Sequence, residues 1–311
     1  MPGGKWVKNV KATTKLAPAA RGVLKLRLQV VQEQLHLAVK EPFKDPEPIH
    51  QLRVATRRAR AAIDIFSSCF SRRIAKKVNK HLRTIRDAAG AARDWDVFLA
   101  GLTQWRNQQK SRHYPGIDFV RGYAWDQRVA AQSHLETTVQ KYRKSFAKLQ
   151  ARTLADIHKP CASRPRNLGE LAGLILAKLV RKMSKNGAGN IDNIQLLHRL
   201  RITGKQLRYA MEVFAPCFAT PFRGRLYPQV TAMQDILGAI HDCYVAYDVL
   251  ESVRTKVRKT IPGDWPRYKL SIEGILRNHH EKILREKQRF RKCWERWHRS
   301  GAKTLLNAIG K

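Results

Sequence analysis

The sequence predicts an all-α fold of two four-helix bundles, and two observations point to it. Apolar residues recur at the 3.6-residue period from end to end, and no stretch sustains the apolar alternation of a strand. The chain also repeats itself: IHQLRVATRRARAAIDIF at 49–66 aligns with LHRLRITGKQLRYAMEVF at 197–214, an offset of 198 − 50 = 148. Without a gap, the same offset carries Cys69 onto Cys217, Asp87 onto Asp235, Gly90 onto Gly238, Asp94 onto Asp242, Tyr142 onto Phe290 and Phe146 onto Trp294. A register held over so much of the chain means two copies of one helical unit, expected at 18–158 and 167–300. KPCASRPR at 159–166 joins them; a basic extension (1–17) precedes them and a tail (301–311) follows.

In the first unit helices are predicted at 18–40, 47–70, 72–108 and 116–151. EPFKDPEP separates the first two and HYPG the last two, since Pro removes a backbone donor and Gly frees the backbone. The second unit repeats the plan at 167–184, 190–215, 221–259 and 265–299, broken by KNGAGN, APCFATP and TIPGDWP. Gly90 and Gly238 fall inside the long third helices, where a kink or a split into two helices is expected.

Charge defines the partner class. The 311 residues carry 61 Lys plus Arg against 24 Asp plus Glu, a formal +37, while 43% hydrophobic residues suffice for a core. Charges of one sign at this density repel in the compact state, so a bound polyanion relieves the strain. Nucleic acid, an anionic membrane surface and inorganic polyphosphate all qualify, because counterion release follows phosphate charge rather than chemical identity. The five cysteines are scattered without a CxxC pair, which speaks against a zinc or redox motif and for a reducing compartment. No stretch approaches the roughly 20 apolar residues of a membrane span, and the basic start lacks the apolar run of a secretory signal. A cytoplasmic location without membrane insertion is expected.

The binding chemistry is expected on the second helix of each unit. At about 100° per residue, His50, Arg53, Arg57 and Arg60 fall within an arc of roughly 80°, opposite Leu52, Ala59, Ile63, Phe66 and Phe70. His198, Arg201, Lys205 and Arg208 form the matching row, opposite Leu200, Leu207, Met211, Phe214 and Phe218. A charged helix face is ordinarily only solvated. Here a histidine heads both rows, with basic residues at +3, +7 and +10 in each unit, which argues for a functional stripe. Cations about 5 Å apart along a helix suit an anion of closely spaced charges, and arginine adds forked hydrogen bonds to phosphate oxygens.

The fourth helices offer secondary rows: Lys141, Lys144 and Lys148, with His134 ahead of them, matched by Arg289, Lys292 and Arg296, with Lys282 ahead. Asp94 and Asp242, in ARDWDV and IHDCYV, are expected to orient a histidine or an arginine of the rows. Arg93 and His241 beside them are weaker binding candidates.

The pattern [IL]HxLR[VI], followed by a basic helix and an RDxDV or HDxxV step, resembles the CHAD family, the conserved histidine α-helical domains, over essentially the whole chain. That resemblance implies two bundles related by a pseudo-twofold axis, a basic central channel that binds inorganic polyphosphate, and a place at polyphosphate granules in bacterial cells. It puts the family histidines on His50 and His198 and the channel residues on Arg53, Arg57, Arg60, Arg201, Lys205 and Arg208. Many relatives carry a CYTH domain ahead of this one; no ExExK motif is present, so a stand-alone binder without catalytic residues, metal or cofactor is expected. Two rival readings stay open. Nucleic acid suits the charge and the Trp and Tyr content. His198, His241, Asp242 and Asp248 loosely match the ligands of helical metal-dependent phosphohydrolases, although the other unit places Arg93 where His241 stands.

Overall fold

The computed structural model describes residues 4–158 and 165–310, so most of the expected 159–166 linker lies outside the described residues. Among those described, no strand forms, and nine α-helices follow in order: α1 (Leu16–Leu37), α2 (Glu47–Ile65), α3 (Arg72–Arg106), α4 (Tyr114–Ala155), α5 (Leu168–Asn186), α6 (Ile194–Phe214), α7 (Tyr227–Thr260), α8 (Trp265–Arg296) and α9 (Ala302–Ile309). The punctuation read from the sequence sets their starts. Asn167 and Asn193 cap α5 and α6, the latter accepting from the Gln195 amide at 2.8 Å, and Pro stands in the first turn of α2, α4, α7 and α8, where no donor is lost.

Two expectations are corrected. Neither Gly90 nor Gly238 breaks its helix: α3 and α7 run through them without interruption. One helical glycine costs only about 0.5–1 kcal/mol against alanine, and the buried Ala88, Ala89 and Ala92 around Gly90, like Leu237 and Ile240 around Gly238, hold the helix in place. The last long helix does not run evenly to 299 but passes at 297–301 through a π turn into α9, which buries Leu305. Gly301 is required in that turn, because a Cβ there would come within 2.8 Å of the Trp297 ring.

The basic extension is fastened rather than free. Val7 and Val10 are buried, and the buried Arg27 of α1 donates to the carbonyls of Gly4 (3.3 Å) and Lys5 (2.7 Å). Helices α1 to α4 pack in order and α4 returns to α1; α5, α6, α7 and α8 follow the same plan, with α9 supplying the return onto α5. Each of Leu24, Leu28, Val31 and Leu35 of α1 is at most 1% exposed, contributing about 1.5–3 kcal/mol apiece.

The core does not divide at 159–166. One apolar cluster runs through α1, α2 and α3 into α5, α6 and α7. A second gathers the far ends of four helices from both halves, with Leu102, Val120, Leu250 and Ile272 among its members. There α4 and α8 approach closely: a Cβ on Gly116 would lie 2.6 Å from Ser271 Cβ, and Ser271 Oγ donates to the His113 carbonyl at 2.6 Å. With α2 packed on α6 as well, the two expected bundles share their interior.

Candidate binding site

Helices α2 and α6 meet near the middle of the molecule, with their apolar sides buried as expected: Leu52, Ala59, Ile63, Phe66, Leu200, Leu207, Met211 and Phe214 are each essentially inaccessible. That burial fixes where the opposite sides point. His50, Arg53, Arg57, Arg60, Arg201, Lys205 and Arg208 are all half-buried, and only His198 is exposed.

The two rows act on each other. Burial and then the charges of Arg57, Arg201, Arg53 and Arg208, in that order, push the Lys205 ammonium from its ordinary range down to about 6. Burial also lowers Arg57, followed by Arg53 on its own helix, while the Tyr209 hydroxyl of α6 pulls the other way. Burial lowers Arg201 as well, and Arg57 and Arg53 lower it further against the opposing pull of Asp242. Five residues of α2 and α6, Arg53, Arg57, Arg201, Lys205 and Arg208, thus share one field of like charge.

Histidines flank this cluster. His241 of α7 falls to about 4 through burial and then Arg201, Lys205 and His198, with the His198 ring centroid 6.1 Å away. His50 is lowered by burial and then by Arg93 of α3. Both imidazoles are therefore neutral at pH 7 and offer a donor without adding charge.

Acids hold the arginines in position. Asp94 of α3 pairs with Arg53, whose Nη1 also donates to the Gly90 carbonyl at 3.3 Å. The expectation that Asp94 orients a row residue is met, and Asp242 stands in the corresponding electrostatic relation to Arg201. The buried Glu212 accepts from Arg58 at 2.6 Å and from the Tyr227 hydroxyl at 2.8 Å, tying α2, α6 and α7 together beneath the cluster. Asp64, at the matching position in α2, is exposed and accepts only from Asn79. Even so, the Nε–H groups of Arg60, Arg93, Arg201 and Arg208 are buried without a protein acceptor. Each such orphan costs about 1–3 kcal/mol, a cost the fold sustains at this cluster.

The secondary rows differ from the cluster in exposure. Lys141, Lys144 and Lys148 of α4 and Arg289, Lys292 and Arg296 of α8 are exposed, and Arg289 pairs with Glu286 at 2.8 Å on its own helix. The charges that act most on Lys205 and Arg201 belong to α2, α3, α6 and α7. Sequence reasoning missed Arg83 and Arg86 of α3, which press on Arg60, and Tyr209, whose hydroxyl accepts from Arg208 and acts on Arg57. The repeat hides the two arginines, whose partners at +148 are Thr231 and Gln234. Among the described residues no group of three or more His, Cys, Asp or Glu is placed to hold a metal.

A comparison with family models adds a second line of observation to this helical order: the model of the CHAD domain matches residues 22–251. The chain belongs to the CHAD domain family. As a CHAD domain it is similar to the crystal structure of the CHAD domain from the plant Ricinus communis, with 20% identity and a TM-score of 0.68 over 93% of this chain and 96% of that one. It is also similar to PptA from Streptomyces chartreusis, with 14% identity and a TM-score of 0.64 over 91% and 100%. At these identities the likeness speaks for the fold alone. No curated protein matches the chain. CHAD domains are generally non-catalytic binding domains, and no helix among the described residues is long and apolar enough to cross a membrane.

Proposed function

We propose that this CHAD domain binds inorganic polyphosphate, without catalysis, in a basic channel between two duplicated halves related by a pseudo-twofold axis. His50, Arg53, Arg57 and Arg60 line one wall and His198, Arg201, Lys205 and Arg208 the other, with Arg93 and His241 at the flanks. Binding of this kind directs the protein to polyphosphate granules in a bacterial cytoplasm. One observation supports the reading: charges from both rows, Arg57 and Arg53 on α2 and Arg201 and Arg208 on α6, act on one half-buried lysine, Lys205, which burial first and those charges second hold down at about 6. Arginines that press on a half-buried lysine are short of negative charge, and a linear phosphate polymer supplies it at the required density while its oxygens accept from the guanidinium groups of the rows. Nucleic acid fits less well at the rows, because Tyr209, the aromatic ring beside Arg208, is buried and not free to stack on a base.

The test is competition. Long-chain polyphosphate should stay bound against single-stranded or duplex nucleic acid at equal phosphate concentration and physiological salt; displacement would overturn the assignment. Arg57→Ala and Arg201→Ala should each weaken polyphosphate binding about tenfold and reduce its salt slope by about one, with unchanged circular dichroism. Full affinity in both variants would remove the site.

A further inference from the structure

The cluster is not charged alike on its two sides. Arg60, which ends the α2 row, is lowered by burial and then by Arg86 and Arg83 of α3. At about 100° per residue, Arg72, Lys76, Lys80, Arg83 and Arg86 lie within roughly 60° of the α3 face that carries Gly90 and Asp94, the two residues that hold Arg53. Arg72, Lys76, Lys80 and Arg83 are exposed, and none forms an ion pair among the described residues; Arg86 is half-buried beside Asp87. The row extends the cluster by about 21 Å at 1.5 Å per residue.

On the other side the track is missing. At offset 148 the five positions read Thr220, Gly224, Pro228, Thr231 and Gln234, with no charge among them. The backbone differs too: α7 begins only at Tyr227, after a π turn over Phe222–Leu226. Gln234, where α3 has Arg86, is buried against α6, so close that a Cβ on Gly204 would meet its Nε2 at 2.1 Å. Helix α7 is shut against α6 where α3 presents a basic surface.

We infer that a polyphosphate chain held between α2 and α6 leaves the cluster in one direction, over Arg86, Arg83, Lys80, Lys76 and Arg72 along the first half of α3. The inference rests on the polyphosphate reading and adds a subsite that only long chains reach. Short chains fit within the α2–α6 cluster; longer ones gain phosphate pairings along α3 and none along α7. The exposed row Lys141, Lys144 and Lys148 on α4 is the internal comparison, since it offers the same charge and is not among the groups that act most on Lys205, Arg201 and Arg60.

Two triple variants decide it: Lys76→Ala with Lys80→Ala and Arg83→Ala, against Lys141→Ala with Lys144→Ala and Lys148→Ala, each removing three charges. Affinities for long-chain polyphosphate and for tripolyphosphate are measured over a salt series. The α3 triple should lose about tenfold for the long chain and reduce the salt slope by about two, at roughly 0.7 for each phosphate no longer neutralised. Its tripolyphosphate affinity should hold within about twofold, and the α4 triple should keep both affinities. Equal losses in the two triples would assign the effect to bulk charge and overturn the track, as would an undiminished long-chain affinity in the α3 triple. If the α3 triple does not fold, Arg83→Gln alone must still lower long-chain affinity more than Lys144→Gln. Failure of the unaltered protein to bind either probe would overturn the polyphosphate reading itself.

Discussion

Lys205 carries the clearest chemical consequence of the converging rows. With its pKa near 6 the ammonium is mostly deprotonated at pH 7 in the free protein, whereas a bound polyanion favours the charged form. Binding therefore takes up a proton, about one at pH 7–8, and affinity falls as pH rises from 6 toward the ordinary lysine range. Calorimetry in two buffers of different ionisation enthalpy should reveal this uptake, and Lys205→Met should abolish it; the same uptake in that variant would place the titrating group elsewhere. The sign for the fold follows from the same depression. Unfolded chains hold the proton that folded ones release, so this lysine makes the free protein more stable as pH climbs from 6 to about 10. Arg58 and Glu212 answer to a different rule. Glu212 is 1% exposed, and removing one member of a buried pair costs about 3–5 kcal/mol through the charge left behind. Arg58→Ala should lower unfolding stability by that order in urea titration; a loss below about 1 kcal/mol would mean that Tyr227 alone suffices for Glu212. At this scale the two rows are legible in the sequence because both units keep them. The Glu212 hub is not, because nothing in the order of residues shows that Glu212 is buried while Asp64 at the matching position is exposed.

Helix boundaries are largely legible, because Pro and Gly act locally and do not wait for tertiary contacts. What local rules cannot supply is the reason for a given glycine. Gly187 ends α5 with φ at −97°, an ordinary conformation for any residue, so the turn itself does not demand glycine. Space does: a Cβ there would sit 1.9 Å from Trp294 Cζ2. Gly122, inside α4, has no heavy atom within 4 Å of its missing Cβ. Gly187→Ala should destabilise by about 1–3 kcal/mol through overpacking, whereas Gly122→Ala should stabilise by about 0.5–1 kcal/mol through helix propensity alone. Chemical denaturation of the pair checks both signs, and a stabilising Gly187→Ala would mean that Trp294 has room to retreat. The unbroken α3 teaches the same lesson in reverse. Gly90 reads as a weak point in sequence, yet in the fold the helix runs through it and its carbonyl accepts from Arg53.

At the scale of the molecule, the repeat suggests two separable bundles, and the distribution of apolar contacts joins them. The main core passes from α1–α3 into α5–α7, and the second one draws on α3, α4, α7 and α8 together. A sequence pattern tells which side of a helix is apolar, not which helix will cover it, so this sharing is invisible before the fold is known. Neither half can unfold without exposing the other's interior, so thermal unfolding should proceed in one cooperative transition, with the calorimetric enthalpy equal to the van't Hoff value. The formal charge of +37 opposes that compact state, and polyphosphate relieves it while binding only the folded form. At a concentration about 100 times its dissociation constant, the ligand adds roughly 2.7 kcal/mol, enough to raise the single transition by several degrees. The gain should shrink as salt screens the cluster and should largely vanish when Arg57→Ala and Arg201→Ala are combined. Two transitions, of which polyphosphate moves only one, would show that the halves fold independently and that a single wall suffices to hold the chain.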